Sequence, residues 1–396
     1  MSKTGSTILV FGAIVLIGGA AQAAGFHPIA TPYGDDAEIG EPSIAVERES
    51  TRIPTDHLDL GTEHVLDQQC QNGGFGWPHA DCSATYHNIT APILLGVIGT
   101  YYLTFDGDQL VGALNGGAFD LVYTYPNGEA RFGSFTALFM LRLGNVAGNT
   151  TFLDHAAVNL FDELAAGTYG PDDFDTAGWI ANIQTGRSGA WVNLRPWEFQ
   201  ALISVSKALG QAGQDVLFEE AILDGLNTLD NSDPSTVYSD VLGVAGAVKG
   251  LADARRLYFP PIVAPLHSGI NGIDNLQDLA AYLASLQNPN GSWYWHSNLA
   301  APTTGDEDVQ TTAYALLALL EVDRMTAASY QPATEVARDW MVSLQLPDGG
   351  FPEWPGGDEN TEVEGEALTA IAAFDATIFV DGLEAGNLDL WDAVAP

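Results

Sequence analysis

Four clusters in this 396-residue chain carry side chains that move protons or hold charge. They are Tyr86, His87 and Asn88; Arg187, Arg195 and Trp197; Asp306 and Asp308; and Glu362, Glu364 and Glu366. Abstracting a proton beside a uronate carboxylate needs a base and a cation to neutralise that carboxylate. His87 or Tyr86, with Asn88 and either Arg187 or Arg195, supplies those parts. The acidic clusters permit different chemistry. An inverting glycosidase needs an acid and a base about 6.5–9.5 Å apart, and Asp306 or Asp308 with Glu362 or Glu364 could straddle such a gap. Trp293, Tyr294, Trp295 and Trp354 offer flat faces on which a sugar can stack. Each group also has a plain structural use: acids favour helix N-termini, arginines pair with acids, and a histidine can hydrogen-bond a helix start.

Positioning these clusters falls to a repeat. LDQQCQNGGFGWP from Leu66, LASLQNPNGSWYW from Leu283 and MVSLQLPDGGFPEW from Met341 superimpose, each following an amphipathic run and preceding an apolar one. Aligned on Gln71, Gln287 and Gln345, they give a period of about 55 residues and so six units in the chain. The amphipathic members include LDLGTEHVLDQQ, DQLVGALNGGAFDLV, DNLQDLAAYLASLQ and TEVARDWMVSLQ. Their dry partners include ITAPILLGVIGTYYL, FTALFMLRLG, DVLGVAGAVKGLA, TTAYALLALLEV and EALTAIAAF. A helix with one apolar stripe belongs in an outer layer, and one that is apolar all round must be enclosed. Six such hairpins closed into a ring predict an all-α (α/α)6 toroid over residues 55–396, with the four clusters at the inner-helix starts around one cavity mouth. An open superhelical solenoid is the alternative arrangement.

The stretches QNGGFGW, QNPNGSW and QLPDGGFPEW resemble the Gln-to-Trp repeats of the terpenoid cyclases and the related protein prenyltransferase toroids. That resemblance implies the toroid fold, with the Gln bridging helix ends and the Trp covering the turn. In squalene-type cyclases an Asp-x-Asp-Asp motif opens an inner helix. Here the matching stretch runs from Asp308 to Ala313 and places Gln310 and Thr311 at the second and third acids, so the resemblance extends to fold and leaves the cyclase proton donor without a counterpart. Prenyltransferase zinc ligands have no counterpart either, because no Cys follows Asp306 or Asp308.

The compartment is read from the first residues. MSKTGSTILVFGAIVLIGGAAQA has one Lys, a short apolar run and a small-residue ending at Ala23, which predicts a signal peptide over 1–23. A proline-containing arm without periodicity follows over 24–54. Cys70 and Cys82 lie close together in an exported chain, so one disulfide clamping the intervening turn is expected. A metal pair with His79 as third ligand is the alternative. Thirteen basic against 51 acidic residues give a net charge of −38. That balance disfavours nucleic acid and anionic membranes as partners and suggests a saline extracellular or periplasmic setting. Acidic loops at Asp106, Pro171, Gly305 and Gly356 offer hard oxygen ligands that suit calcium. Together these readings predict a secreted toroid acting on an extracellular polysaccharide, as a uronate lyase or a glycoside hydrolase. A non-catalytic binding toroid and an exported cyclase relative with altered chemistry are the alternatives.

Overall fold

A computed structural model describes residues 56–79, 81–122, 134–156, 241–257, 276–294, 306–325 and 330–381. The expected signal peptide and arm, Arg187, Arg195, Trp197, Trp295 and the side chain of Asn88 lie outside the described residues.

Nine helices carry the described fold: α1 (Asp56–Asp67), α2 (His87–Thr104), α3 (Gly107–Val122), α4 (Ser134–Ala147), α5 (Val241–Leu257), α6 (Leu276–Ser285), α7 (Val309–Met325), α8 (Gln331–Leu344) and α9 (Thr361–Asp381). They fall into the two kinds that the sequence pattern requires. In α1 the buried positions are Leu58, Gly61, Thr62 and Val65, and in α6 they are Leu276, Leu279, Ala280 and Leu283. This i, i+3, i+4, i+7 stripe covers one face and leaves the other to water. By contrast, every described residue of α2 from Ile89 to Thr100 is buried, and α7 and α9 are nearly as dry. Each fully buried Leu, Ile or Phe in these helices contributes about 1.5–3 kcal/mol.

Packing sorts the two kinds into concentric layers. Among the dry helices, α2 packs on α4, α5 on α7, α7 on α9, and α9 returns to pack on α2. Each outer helix lies between two inner ones: α1 on α9 and α2, α3 on α2 and α4, α6 on α5 and α7, α8 on α7 and α9. The contact of the last inner helix with the first makes this an α/α toroid; a solenoid would leave both ends open.

The helix joints share one construction. In the first, Gln69 Nε2 donates to Gly73 O (2.8 Å) and to Gly112 O in the first turns of α3 (2.9 Å). In the second, Gln287 Nε2 donates to Gly291 O (2.9 Å) and Ala333 O at the start of α8 (2.8 Å). In the third, Gln345 Nε2 donates to Gly349 O (3.0 Å) and His57 O at the start of α1 (2.8 Å). The amide of each Gln thus satisfies a carbonyl of its own turn and one of the next outer helix. Gly73, Gly291 and Gly349 have φ of 90°, 101° and 106°, a region that glycine alone enters without strain.

This corrects the expected repeat register. The residue equivalent to Gln287 and Gln345 is Gln69, two positions before Gln71, which is exposed. The sealing aromatics are correspondingly Phe75, Trp293 and Phe351, all fully buried, while Trp77 and Trp354 are exposed. Cys70 and Cys82 form the expected disulfide across the first joint. Among the described residues, no helix is long and apolar enough to cross a membrane.

Candidate functional site

The starts of α2, α7 and α9 carry most of the described candidates, and the three starts correspond position by position. The fourth residue of each is Thr90, Thr312 and Glu364. Phe75 N donates to Thr90 Oγ1 and Trp293 N to Thr312 Oγ1, both at 3.0 Å. In the third unit the Phe351 amide faces the Glu364 carboxyl and lowers its pKa, against a larger upward push from burial. A structural hydroxyl position in two units is therefore a carboxyl in the third.

Glu362 and Glu366 are four residues apart on α9 and share a face; Gln310 and Tyr314 are related in the same way on α7. The two faces meet. Gln310 Nε2 donates to Glu366 Oε2 at 2.7 Å, and Tyr314 OH donates to Glu366 Oε1 through a short hydrogen bond. Glu366 and Tyr314 are buried, whereas Glu362 and Gln310 keep solvent-accessible surface. Burial, then the neighbouring Glu362 charge, raises the Glu366 carboxyl well above the ordinary range, and the two hydrogen bonds oppose that rise. Burial raises Glu362 to about 7. Burial, followed by the negative charge of Glu366 and Glu362, raises the Tyr314 phenol, keeping it an O–H donor. Two carboxyls that close cannot both ionise cheaply, so the pair retains a proton near neutral pH.

The other candidates are distributed differently. Glu364, two residues from each of these acids, points to the opposite side of α9, where Gln68 Nε2 donates to its Oε2 at 3.1 Å. Asp308 is buried and caps α7, its Oδ1 accepting from Thr311 N at 2.6 Å. Asp306 is exposed beside a short antiparallel ladder in which β1 (Trp293–Tyr294) pairs with β2 (Glu307–Asp308). His87 is 3% exposed, with Nδ1 3.2 Å from Thr136 Oγ1 of α4, and burial lowers its pKa to about 4. Tyr86, just before α2, is 41% exposed. Trp293 cannot offer a stacking face, because it is enclosed and its Nε1 donates to Leu283 O at 2.9 Å.

The sequence reading gave no role to Tyr314, although its i, i+4 spacing from Gln310 was visible. It also missed His64, and offered Glu359 only as one acid of the loop from Gly356 expected to suit calcium. His64 Nε2 lies 3.5 Å from Glu359 Oε2 and 3.7 Å from Glu364 Oε1. No local spacing links a histidine of α1 to a loop almost 300 residues later. The replacement of the inner-helix threonine by Glu364 was the one available signal.

The architecture defines the class as an α/α toroid, with the Glu362 and Glu366 carboxyls paired at the start of its last described inner helix. No family model matches the chain, and no curated protein matches it in sequence. Solved structures do match its fold. A possible member of the GH105 family from Salmonella enterica superposes with a TM-score of 0.56 at 12% identity, covering 87% of this chain and 100% of its own. A polysaccharide lyase superposes at 0.50 with 17% identity, covering 84% and 99%. A type II terpene cyclase from Scytonema, solved with geranylgeranyl dihydroxybenzoate, superposes at 0.50 with 13% identity, covering 82% and 97%. At these identities the likeness is one of fold.

Proposed function

We propose that the protein is a secreted carbohydrate-active enzyme that hydrolyses glycosidic bonds of an extracellular polysaccharide, with the Glu362–Glu366 pair as its acid. The observation that carries this reading is geometric: two carboxyls on one face of α9 meet Tyr314 and Gln310 of α7, with Glu362 still reached by solvent. Glycoside hydrolysis requires a carboxylic acid to protonate the leaving oxygen, and a like-charged neighbour in a buried setting keeps one available. Gln310 and Glu362 also give this wall hydrogen-bonding groups suited to a hydroxyl-rich ligand. Two of the fold neighbours are named as a polysaccharide lyase and a possible GH105 member, which agrees with a glycan substrate.

Hydrolysis is preferred to uronate elimination because the start of α9 is acidic and His87, one of the two expected bases beside the exposed Tyr86, is enclosed against Thr136. Elimination would require Arg187 or Arg195 beside an accessible base. The test is a polysaccharide panel at high salt, following new reducing ends and the ultraviolet absorbance of unsaturated uronate in parallel. Reducing ends without that absorbance, lost in Glu366→Gln, support hydrolysis. Absorbance in step with chain cleavage moves the assignment to elimination. Tight binding without either signal identifies a binding toroid, and turnover of an isoprenoid instead would restore cyclase chemistry.

A further inference from the structure

The seam where the ring closes brings together four side chains that the acid site does not use. His64 belongs to the last turn of α1, His79 to the disulfide-clamped first joint, and Glu359 and Glu364 to the loop and helix that follow the third joint. One ligand atom each from His64, Glu359 and Glu364 lies within 4.8 Å of the other two. His79 Nε2 is 3.4 Å from Glu359 Oε2, and its ring stacks on that of His64 with centroids 6.3 Å apart.

Two atoms of this cluster have no hydrogen bond although they are shut off from solvent: His64 Nε2 and Glu364 Oε1. The Glu364 side chain is 0% exposed. Leaving a buried carboxyl oxygen without a donor is costly, and Glu364 stands where the other two units keep a hydroxyl. Gly350 adds a second mark. A Cβ there would sit 2.9 Å from His64 Nε2 and 3.0 Å from Glu359 Cδ, so the absent side chain keeps space at the cluster. Glu359 and His79 are 22% and 39% exposed and leave an approach from solvent.

We propose that His64, Glu359 and Glu364 bind a divalent transition-metal ion of the zinc type, with His79 as a fourth ligand. Imidazole and carboxylate donors in this proportion suit zinc, whereas calcium takes oxygen ligands alone. The GGDENTEVEGE loop, expected from its acids to suit calcium, thus contributes two ligands to a mixed nitrogen and oxygen set. Because the ligands come from the first and the last described repeats, the ion staples the ring at its seam. It adds a ligand-dependent connection at the one described joint where Glu364 takes the place of the threonine.

The test uses the full mature chain, stripped with chelator and titrated with Zn2+ by calorimetry and with Co2+ by visible absorption. The expected result is one ion per chain, cobalt d–d bands of a low-coordinate nitrogen and oxygen site, and a Tm that rises with Zn2+ and returns on chelation. His64→Gln and Glu359→Gln should each weaken binding at least ~10-fold, the scale on which even a metal ligand's outer partners act. Gly350→Ala adds one methyl without altering a ligand and should weaken binding while the metal-free protein keeps its fold, so the outcome does not depend on the His64 variant folding. Binding that is equal in wild type and all three variants, absence of saturable binding, or a Tm that responds to Ca2+ and not to Zn2+ would each overturn the proposal. None of these readouts depends on glycan turnover.

Discussion

Gln345 Nε2 donates to the backbone oxygen of His57 at 2.8 Å, joining residues 288 positions apart. The same amide reaches Gly349 O at 3.0 Å. In the other two described joints the equivalent Gln grips the next outer helix only 43 or 46 residues onward. One local device, used a last time on the first outer helix, thereby becomes a ring closure.

The consequence is a difference between joints that look alike. Truncating Gln345→Ala removes both bonds; the His57 carbonyl keeps its place in the α1 helix ladder, and the buried Gly349 carbonyl loses its partner at a cost of about 1–3 kcal/mol. Gln287→Ala should cost a similar amount in equilibrium denaturation. Only Gln345→Ala should also raise amide exchange in the second turn of α1, whose amides bond back to the first-turn carbonyls, because that helix start has no sequence-local tether to α8. Equal exchange at α1 in both variants would show that the seam is held by other contacts, such as His57 and Arg338 around Asp375.

Much of this ring was legible from periodicity alone. The dry and half-wet segments correspond to α2, α4, α5, α7 and α9 and to α1, α3, α6 and α8. The register of the joints was not legible, because QQCQ offers a Gln at three nearby positions. The deciding feature is a glycine with positive φ four residues beyond the working Gln, and that requires the backbone. Acidic density also hid a division of labour within the last inner helix. Glu362 and Glu366 share one face and Glu364 takes the other, as a 3.6-residue turn dictates, so three acids read together serve two places. His64 and Glu359 meet only because the ring closes, and closure leaves no trace in local spacing.

Lysine is rare in this chain, and Lys249 shows where one is needed. Its Nζ lies 2.8 Å from Asp253 Oδ2 within α5 and 3.2 Å from Glu321 Oε2 of α7, and Arg324 also reaches Glu321 at 3.2 Å. Asp253 and Glu321 are 0% and 1% exposed. Lys249→Met would leave buried acids short of a cation, at a cost of about 3–5 kcal/mol. Lys249→Met combined with Asp253→Leu should recover a large part of that loss, since an apolar pair is tolerated better than a buried acid that has lost its lysine. A double variant no more stable than Lys249→Met in urea titration would exclude this coupling.

His87 predicts how stability responds to acid. Burial against Thr136 lowers its folded pKa to about 4 from an ordinary 6.5. The unfolded chain therefore takes the proton first. The contribution of His87 is full above pH 6.5 and disappears as pH falls toward 4, and it amounts to about 3 kcal/mol at most. Denaturation of wild type and His87→Gln at several pH values should show a stability difference that shrinks through this window. A difference constant from pH 7 to 4 would mean that the imidazole titrates alike in the folded and the unfolded chain.

The acid wall gives the sharpest separation between structure and chemistry. Glu366→Gln keeps the size of the side chain and removes a carboxyl whose ionisation is opposed by burial and by Glu362. An amide there still accepts from Tyr314 OH, and its NH2 is satisfied once Gln310 turns its own amide to present its oxygen. The fold should therefore lose little stability, and relief of carboxyl crowding can raise the Tm. Turnover of the glycan should nevertheless fall about 10²–10⁴-fold, the usual contribution of a positioned proton donor. Glu362→Gln should fall in the same range because the Glu362 charge helps to hold the Glu366 carboxyl protonated. Tyr314→Phe removes only one donor to Glu366 and should cost less. If both Gln variants retained full turnover on the substrate cleaved by wild type, catalysis would have to be sought away from the meeting faces of α7 and α9.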